Sequence, residues 1–382
     1  MEEKYLNDSK SILKGNAMQS EIGSNFWIRP EDINLKSSII IPKQFGCNGS
    51  DYVWMSTARS ATSLILDTIE NRSVNVKNIA VIQSFTCHTV IEPFLAKGYK
   101  IHTYHIDREL QADANDILEV IKSTGASVFL FHKYFGWDTI TNLENIMPEL
   151  KRLGVVTIED CTQNLYSTFN RVDADYFVGS IRKWCGVPDG GFAVCKEGQF
   201  VNKPQNVDKE LEKAKVEASL LKYKCLFKGQ GEKQTFLNRY REAEDILNKQ
   251  DKYYSISNVS TIIQSNLDTE SLVNKRRENF KVIVACLNKI ERRGVRLIFS
   301  KLNENEAPLY CPILCEERKT VQSFLAQNNI YAPVIWHKAE CSPVVDEDAD
   351  YVYDHILCIP VDQRYDSDDM KRIVTVLNGI IY

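Results

Sequence analysis

The chain has 382 residues, 43% hydrophobic and 26% charged, enough apolar material for a substantial core and a length that points to two domains. A formal charge of -4 argues against a nucleic-acid binder, which carries a basic face and a high pI. No apolar run reaches the roughly 20 residues of a spanning helix, so no membrane partner is expected.

The opening "MEEKYLNDSK" is acidic and polar, unlike a secretory signal, and the expected location is cytoplasmic. The eleven cysteines are scattered singly, without a CxxC pair, and read as reduced, mostly buried thiols. The six histidines show no ligand-like spacing, so no metal site is expected. Residues 1–40 are polar and irregular around an apolar cluster at "SNFWIRP", and read as an arm packing across the body or a partner subunit.

From Asn78 to Cys195 strand and helix patterns alternate. β-rich runs stand at "IAVIQ", "YKIHTYHI", "ASVFLFH", "VVTIED", "DYFVGS" and "GFAVCK". Amphipathic stretches "ANDILEVIKSTG" and "NLENIMPELKRLG" lie between them, each closed by a glycine that suits a helix C-terminus. The pattern predicts an α/β fold with a mainly parallel central sheet sandwiched by helices. Residues 206–252 are Lys/Glu-rich and helical, the solvated face of a helix pair. A second β-containing region opens near Pro308 and closes on the helix "SDDMKRIVTVLNGII". The expected organisation is an arm (1–40), a large α/β domain (41–255) and a smaller α+β C-terminal domain (256–382).

Ligands of such sheets sit at the C-terminal strand ends. Four segments there supply what pyridoxal phosphate (PLP) requires: a lysine for the aldehyde, a carboxylate for the pyridine nitrogen, and an anion site for the 5′-phosphate. Lys183, in "GSIRKWCGVPDGG", lies between an apolar strand and a glycine pair, a context for a desolvated amine whose pKa burial and Arg182 would lower. Asp160 ends the strand "VVTIED"; its alternative role is a helix cap. Gln163, one helical turn on, reaches toward the phenolic oxygen. "STARSATSLIL" runs small residues into a helix, with Arg59 and Ser60 as added donors and Ser180 approaching from a neighbouring strand; its alternative is a plain N-cap. In "IQSFTCHTVIEP", Phe85, Cys87 and His88 are candidates to lie on the pyridine face, with core burial as the alternative.

Together these segments resemble the DegT/DnrJ/EryC1/StrS family of PLP-dependent sugar aminotransferases, in a divergent branch, over about Ser56 to Pro360. "IEDCTQ" is similar to the family's E-D-x-A-Q element, which places Asp160 at the pyridine nitrogen and Gln163 at the phenolic oxygen. The family lysine stands seven positions before a glycine pair, as Lys183 stands before Gly190. "STARSA" takes the place of the phosphate turn at Arg59 and Ser60, and the ring-stacking aromatic falls on Cys87. Ser180 stands three residues before the lysine where the family has five. The family's H-x-x-G histidine falls on Lys133, and its G-x-N-x-R segment is replaced by "YYSISNVST", with Asn258 in place of the asparagine.

The resemblance implies PLP-dependent transferase fold type I, a homodimer with sites at the subunit interface, and amino transfer from glutamate or glutamine to a keto-sugar. That sugar would be nucleotide-linked, in surface polysaccharide or secondary-metabolite biosynthesis. The alternatives are a PLP lyase or dehydratase, against which the intact lysine argues, and a non-catalytic PLP-binding protein. Lys133, Tyr134, Trp137 and Trp184 are expected beside the strand ends, available to a sugar, base or diphosphate, with packing against the sheet as the equal alternative for the aromatics.

Overall fold

The computed structural model describes residues 21–72, 77–250, 252–287, 294–338 and 346–380. Its centre is a seven-stranded sheet built from β1 (Asp51–Met55), β2 (Ile79–Gln83), β3 (Lys100–Tyr104), β4 (Val128–His132), β5 (Val156–Asp160), β6 (Tyr176–Ser180) and β7 (Gly191–Cys195). The spatial order is β1-β7-β6-β5-β4-β2-β3. Strands β2 to β6 pair in parallel, and β7 runs antiparallel to both β6 and β1. Six of these strands coincide with the runs read from sequence. The first, β1, lies before Asn78 and was not among them.

Strand β4 shows why both faces of this sheet are covered. Val128 and Leu130 enter one apolar cluster, while Phe129 and Phe131 enter another on the opposite face. Helices α1 (Ala58–Arg72) and α2 (His88–Ala96) supply Leu64, Ile65, Ile91 and Phe94 to the first cluster. Helices α3 (Ala114–Thr124) and α4 (Leu143–Arg152) supply Ile117, Ile121, Ile146 and Leu150 to the second. Helix α3 is opened by the Asp113 side chain, which accepts from Asn115 N, and closed by Gly125 at φ 64°.

The Lys/Glu-rich stretch folds as the helix pair α5 (Lys209–Lys228) and α6 (Lys233–Asn248). The chain then returns to the main sheet, where Ser255 bridges Met55, and enters α7 (Asn258–Ser265) and α8 (Thr269–Leu287). A three-stranded antiparallel sheet follows: β8 (Val295–Leu297), β9 (Cys311–Cys315) and β10 (Ile356–Ile359). Its residues Ile313 and Ile356 share a cluster with Phe129 and Phe131, so the apolar core is continuous from the central sheet into the C-terminal part.

The "SNFWIRP" cluster packs on its own chain. Ile22 pairs with Ile330, Trp27 meets Phe227 edge-on, and buried Lys222 donates to Asn25 O at 2.7 Å. Arg364 closes the other side, its guanidinium 4.1 Å from the Phe26 ring. The rest of the expected arm, residues 1–20, lies outside the described residues.

Candidate active site

Parallel pairing brings Gln83, His132, Asp160 and Ser180 to one edge of the sheet, and Met55 reaches the same edge through β7. Because β7 runs the other way, its first residue, Gly191, lies at the same edge, in register with Ser180 and Met55. The Gly191 position has no room for a side chain. A Cβ there would stand 2.1 Å from Thr57 C and 2.4 Å from Ala58 N, so the N-terminus of α1 rests directly on the strand. Thr57 caps that helix, its hydroxyl accepting from Ser60 N at 3.0 Å.

Beyond Ser180 the chain makes one 3-10 turn, Ile181–Lys183. Trp184 anchors it. The fully buried indole donates to Thr162 O at 2.8 Å, and the Trp184 carbonyl accepts from Gln363 and Arg276. With Ile181 and Trp184 held in the core, Lys183 projects into a cavity of about 740 Å³. Its amine has no hydrogen bond or ion pair among the described residues, and the cavity leaves it open to solvent. Surrounding protein, and then Arg182, lower the Lys183 pKa, while Cys87 and Glu244 act in the opposite sense.

Asp160 is buried at the end of β5, beside His132 in the sheet register. Thr162 N donates to it at 2.9 Å, and no cation pairs with it among the described residues. Burial raises its pKa against the pull of Thr162. No helix follows: residues 161–170 are turns, so the cap alternative for Asp160 reduces to this Thr162 bond. Gln163 is reached through that turn and not through a helical one. Its carbonyl accepts from Phe135 N at 2.7 Å, leaving its amide NH2 without a partner among the described residues. Glu159 points to the other face of the sheet and pairs with Arg171 at 2.6 Å.

The remaining sequence candidates fall around this edge. Ser60 lies in the first turn of α1, its Oγ accepting from the Thr57 hydroxyl at 2.9 Å. Arg59 bonds to Glu92 on α2 at 3.0 Å and to Leu247 O at the end of α6. Ser180 donates to Gly190 O at 3.2 Å. Cys87 is the N-cap residue of α2, its thiol 3.0 Å from the Thr89 hydroxyl. Asn258, the first residue of α7, is exposed. Lys183 lines the 740 Å³ cavity together with Arg182, while Asp160, Gln163 and Cys87 do not.

For the aromatic candidates the structure takes the packing alternative. Phe85 is fully buried against Tyr353, Trp336 and Tyr134, and His88 turns outward to Glu92. Tyr134 donates to Phe85 O, Trp137 stacks on Phe299 with ring centroids 4.4 Å apart, and Trp184 is the anchor described above. Lys133 is buried, ion-paired with Asp138 at 2.7 Å and 4.5 Å from the Phe169 ring. Packing absorbs the aromatic side chains, because a sheet covered on both faces needs large apolar groups at its strand ends, whereas Lys133 is closed off by its ion pair and His88 stays exposed.

Other residues enter that the sequence reading passed over. Asp189 is buried and accepts from the hydroxyls of Ser257 at 2.8 Å and Ser260 at 2.6 Å; burial raises its pKa to about 6. It thereby ties the lysine loop to α7. His132 is buried against Gln83, and burial pushes its pKa down to about 3. The helix pair delivers Lys215 and Glu244 to the Lys183 cavity. Glu244 pairs with Lys215 and stands 3.7 Å from Arg182. Burial, and then Arg182, bring Lys215 down to about 8. No short-range sequence signal marks these partnerships, because Lys215 and Glu244 sit on α5 and α6, far along the chain from the lysine turn.

No family model and no curated relative matches the sequence. Solved structures do match in fold. The Helicobacter pylori aminotransferase PseC, involved in the biosynthesis of pseudoaminic acid, is 14% identical with a TM-score of 0.65, covering 94% of this chain and 99% of its own. A DegT DnrJ EryC1 StrS aminotransferase from Brucella abortus is 15% identical with a TM-score of 0.61, over 99% of this chain and 95% of its own. Spr1654 from Streptococcus pneumoniae, a putative sugar aminotransferase solved in its PLP form, is 15% identical with a TM-score of 0.62, over 100% of this chain and 97% of its own. The chain has the fold of these proteins, a fold-type-I transferase architecture along essentially its whole length.

Proposed function

We propose that this protein is a PLP-dependent aminotransferase acting on a sugar. The observation that carries this reading is a pair of groups without a counter-ion among the described residues at one sheet edge: the Lys183 amine, open to a cavity, and the buried Asp160 carboxylate, held only by Thr162 N. An uncompensated buried carboxylate is costly, and a protonated pyridine nitrogen would pair it. The donor set fits PLP in its other parts too. Gln163 retains an amide NH2 without a partner among the described residues for the phenolic oxygen, and the N-terminus of α1, pressed against Gly191, offers peptide N–H groups to a phosphate. Arg59, Ser60 and Ser180 stand around that helix end, and Cys87 flanks the ring position.

When bound, PLP supplies an electron sink for carbanion chemistry. Lys183 Nζ is the group that would hold the cofactor's aldehyde carbon, and the same amine would serve as the general acid and base of the site. Its lowered pKa favours the neutral amine that both tasks need. Asp160 would pair the protonated ring nitrogen, and Thr162 N, donating to that carboxylate, orients it. Glutamate or glutamine as donor, a nucleotide-linked keto-sugar as acceptor, a homodimer, and the division at residues 40 and 255 complete the reading. The fold of the sugar aminotransferases supports the acceptor class.

The test is absorbance-monitored mixing of the PLP-loaded protein with amino donors and then with nucleotide keto-sugars. Loss of the lysine-linked band with glutamate or glutamine, and its return with a keto-sugar, is expected. No spectral change with any common amino donor would remove the aminotransferase reading. Return of the band with simple α-keto acids alone would remove the sugar.

A further inference from the structure

Trp184 and Arg276 are among the largest fully buried side chains, and they lie against each other, the guanidinium 4.8 Å from the indole centroid. Arg276 stands on α8, yet no carboxylate is among its hydrogen-bond partners. Its Nε donates to Gln363 Oε1 at 3.0 Å, its Nη1 to Pro308 O and Leu309 O at 3.2 and 2.9 Å, and its Nη2 to Trp184 O at 3.3 Å. Burial lowers its pKa to about 10, with Asp362 acting in the opposite sense, so the group stays cationic at neutral pH. A charge buried at such a cost on carbonyl oxygens alone needs a use. Trp184 O supplies one, because it belongs to the residue directly after Lys183.

We infer that Arg276 and Gln363 are positioning residues for Lys183: they clamp the Trp184 carbonyl from the C-terminal part of the chain and so set where the lysine enters its cavity. Both act through the peptide beside the lysine and not on its amine. The two ends of a glutamine amide have the same shape, and only their partners tell them apart. Arg276 Nε, which can only donate, takes the Gln363 oxygen, and the NH2 is thereby turned onto Trp184 O at 2.8 Å. Trp184 O, Gln363 and Arg276 thus close a triangle of hydrogen bonds. The turn needs such a clamp. Its own closure is one bond from Trp184 N to Ile181 O at 3.0 Å and a longer one from Cys185 N to the same oxygen at 3.4 Å, and 3-10 geometry is the weaker helical kind. On the far side Gly186 abuts the N-terminal segment, where a Cβ would stand 2.4 Å from Trp27 O.

The inference rests on Lys183 as the PLP lysine, and its test reads the turn separately from the cofactor. Gln363→Glu keeps the acceptor for Arg276 and gives that buried cation a carboxylate, but it sets an oxygen against Trp184 O where a donor stood. The denaturation midpoint should hold or rise. Hydrogen exchange in the peptide carrying Trp184 and Cys185 should quicken by about tenfold or more relative to β7. Affinity for PLP in its lysine-linked form, read by absorbance, should fall by about tenfold or more. Gln363→Met, which removes both bonds, should loosen the turn in the same way with a lower midpoint. Arg277→Ala is the control: on the same helix its guanidinium bonds Asn303 O and Glu306 O, so stability should fall with neither reading changed. Wild-type exchange and PLP affinity in Gln363→Glu would overturn the positioning role, and so would faster exchange with unchanged PLP affinity. Faster exchange that spreads through β7, with a falling midpoint, would mean a general loss of packing and overturn it too. No lysine-linked band in the unaltered protein would remove the PLP reading alone, and exchange at the turn would still decide whether Arg276 and Gln363 hold it.

Discussion

Replacing Gly191 by alanine tests whether the contact between α1 and β7 shapes the phosphate end of the site. The added Cβ would lie 2.1 Å from Thr57 C and 2.4 Å from both Ala58 N and Thr57 O, all backbone atoms that cannot rotate away. Reaching an ordinary contact of 3.4 Å requires a displacement of about 1.3 Å between helix and strand. Overpacking on this scale costs about 1–3 kcal/mol, and misplacing binding groups by about 1 Å lowers a site's performance by about a hundredfold. Gly191→Ala should therefore lower the denaturation midpoint modestly and weaken PLP binding far more, by about ten- to a hundredfold in a fluorescence titration. Gly98→Ala is the control: it also loses a glycine, at φ 73°, but no atom stands within 4 Å, so only backbone strain should show. Wild-type PLP affinity in Gly191→Ala, with the same stability loss as the control, would refute the argument that the N-terminus of α1 holds the phosphate.

Three further outcomes are expected. Lys183→Ala should abolish borohydride-fixed PLP, checked by mass spectrometry; a reducible adduct on another lysine would move the assignment. Asp160→Asn should keep PLP but lose turnover by about a hundredfold or more, since a neutral amide cannot hold the ring nitrogen protonated; near-normal turnover would leave Asp160 a mere turn former for Thr162. His132 gives a pH prediction: buried neutral in the fold with a pKa near 3, it takes up a proton on unfolding below the ordinary 6.5. Its contribution is complete above pH 6.5 and is lost progressively as pH falls toward 3, with an upper limit of roughly 5 kcal/mol. Asp189, raised to about 6, works in the opposite sense between about pH 6 and 4. His132→Asn should flatten the acid limb of stability measured by urea denaturation, and an unchanged slope would mean that the imidazole is charged in the native protein.

Much of this molecule is legible without coordinates. Six strands of the central sheet and helices α3 and α4 follow from apolar periodicity and closing glycines, because those signals act over a few residues. The spacing from Lys183 to Gly190, and the position of Asp160 at a strand end, are also local facts, and it is the family resemblance that ties them to a cofactor. Periodicity reports which face a side chain shares with its neighbours but not what lies opposite that face. Phe85, Tyr134 and Trp137 are therefore indistinguishable in sequence from ring- or sugar-stacking residues, and only the tertiary structure buries them in the core. Lys133 likewise reads as available until Asp138 and Phe169 fold over it. The requirement for glycine at position 191 comes from α1, which begins more than a hundred residues earlier. Arg182, Lys215 and Glu244 meet because a helix pair folds back onto the lysine turn. Contacts of that kind depend on how whole elements pack, and burial, charge balance and pKa all follow from the packing.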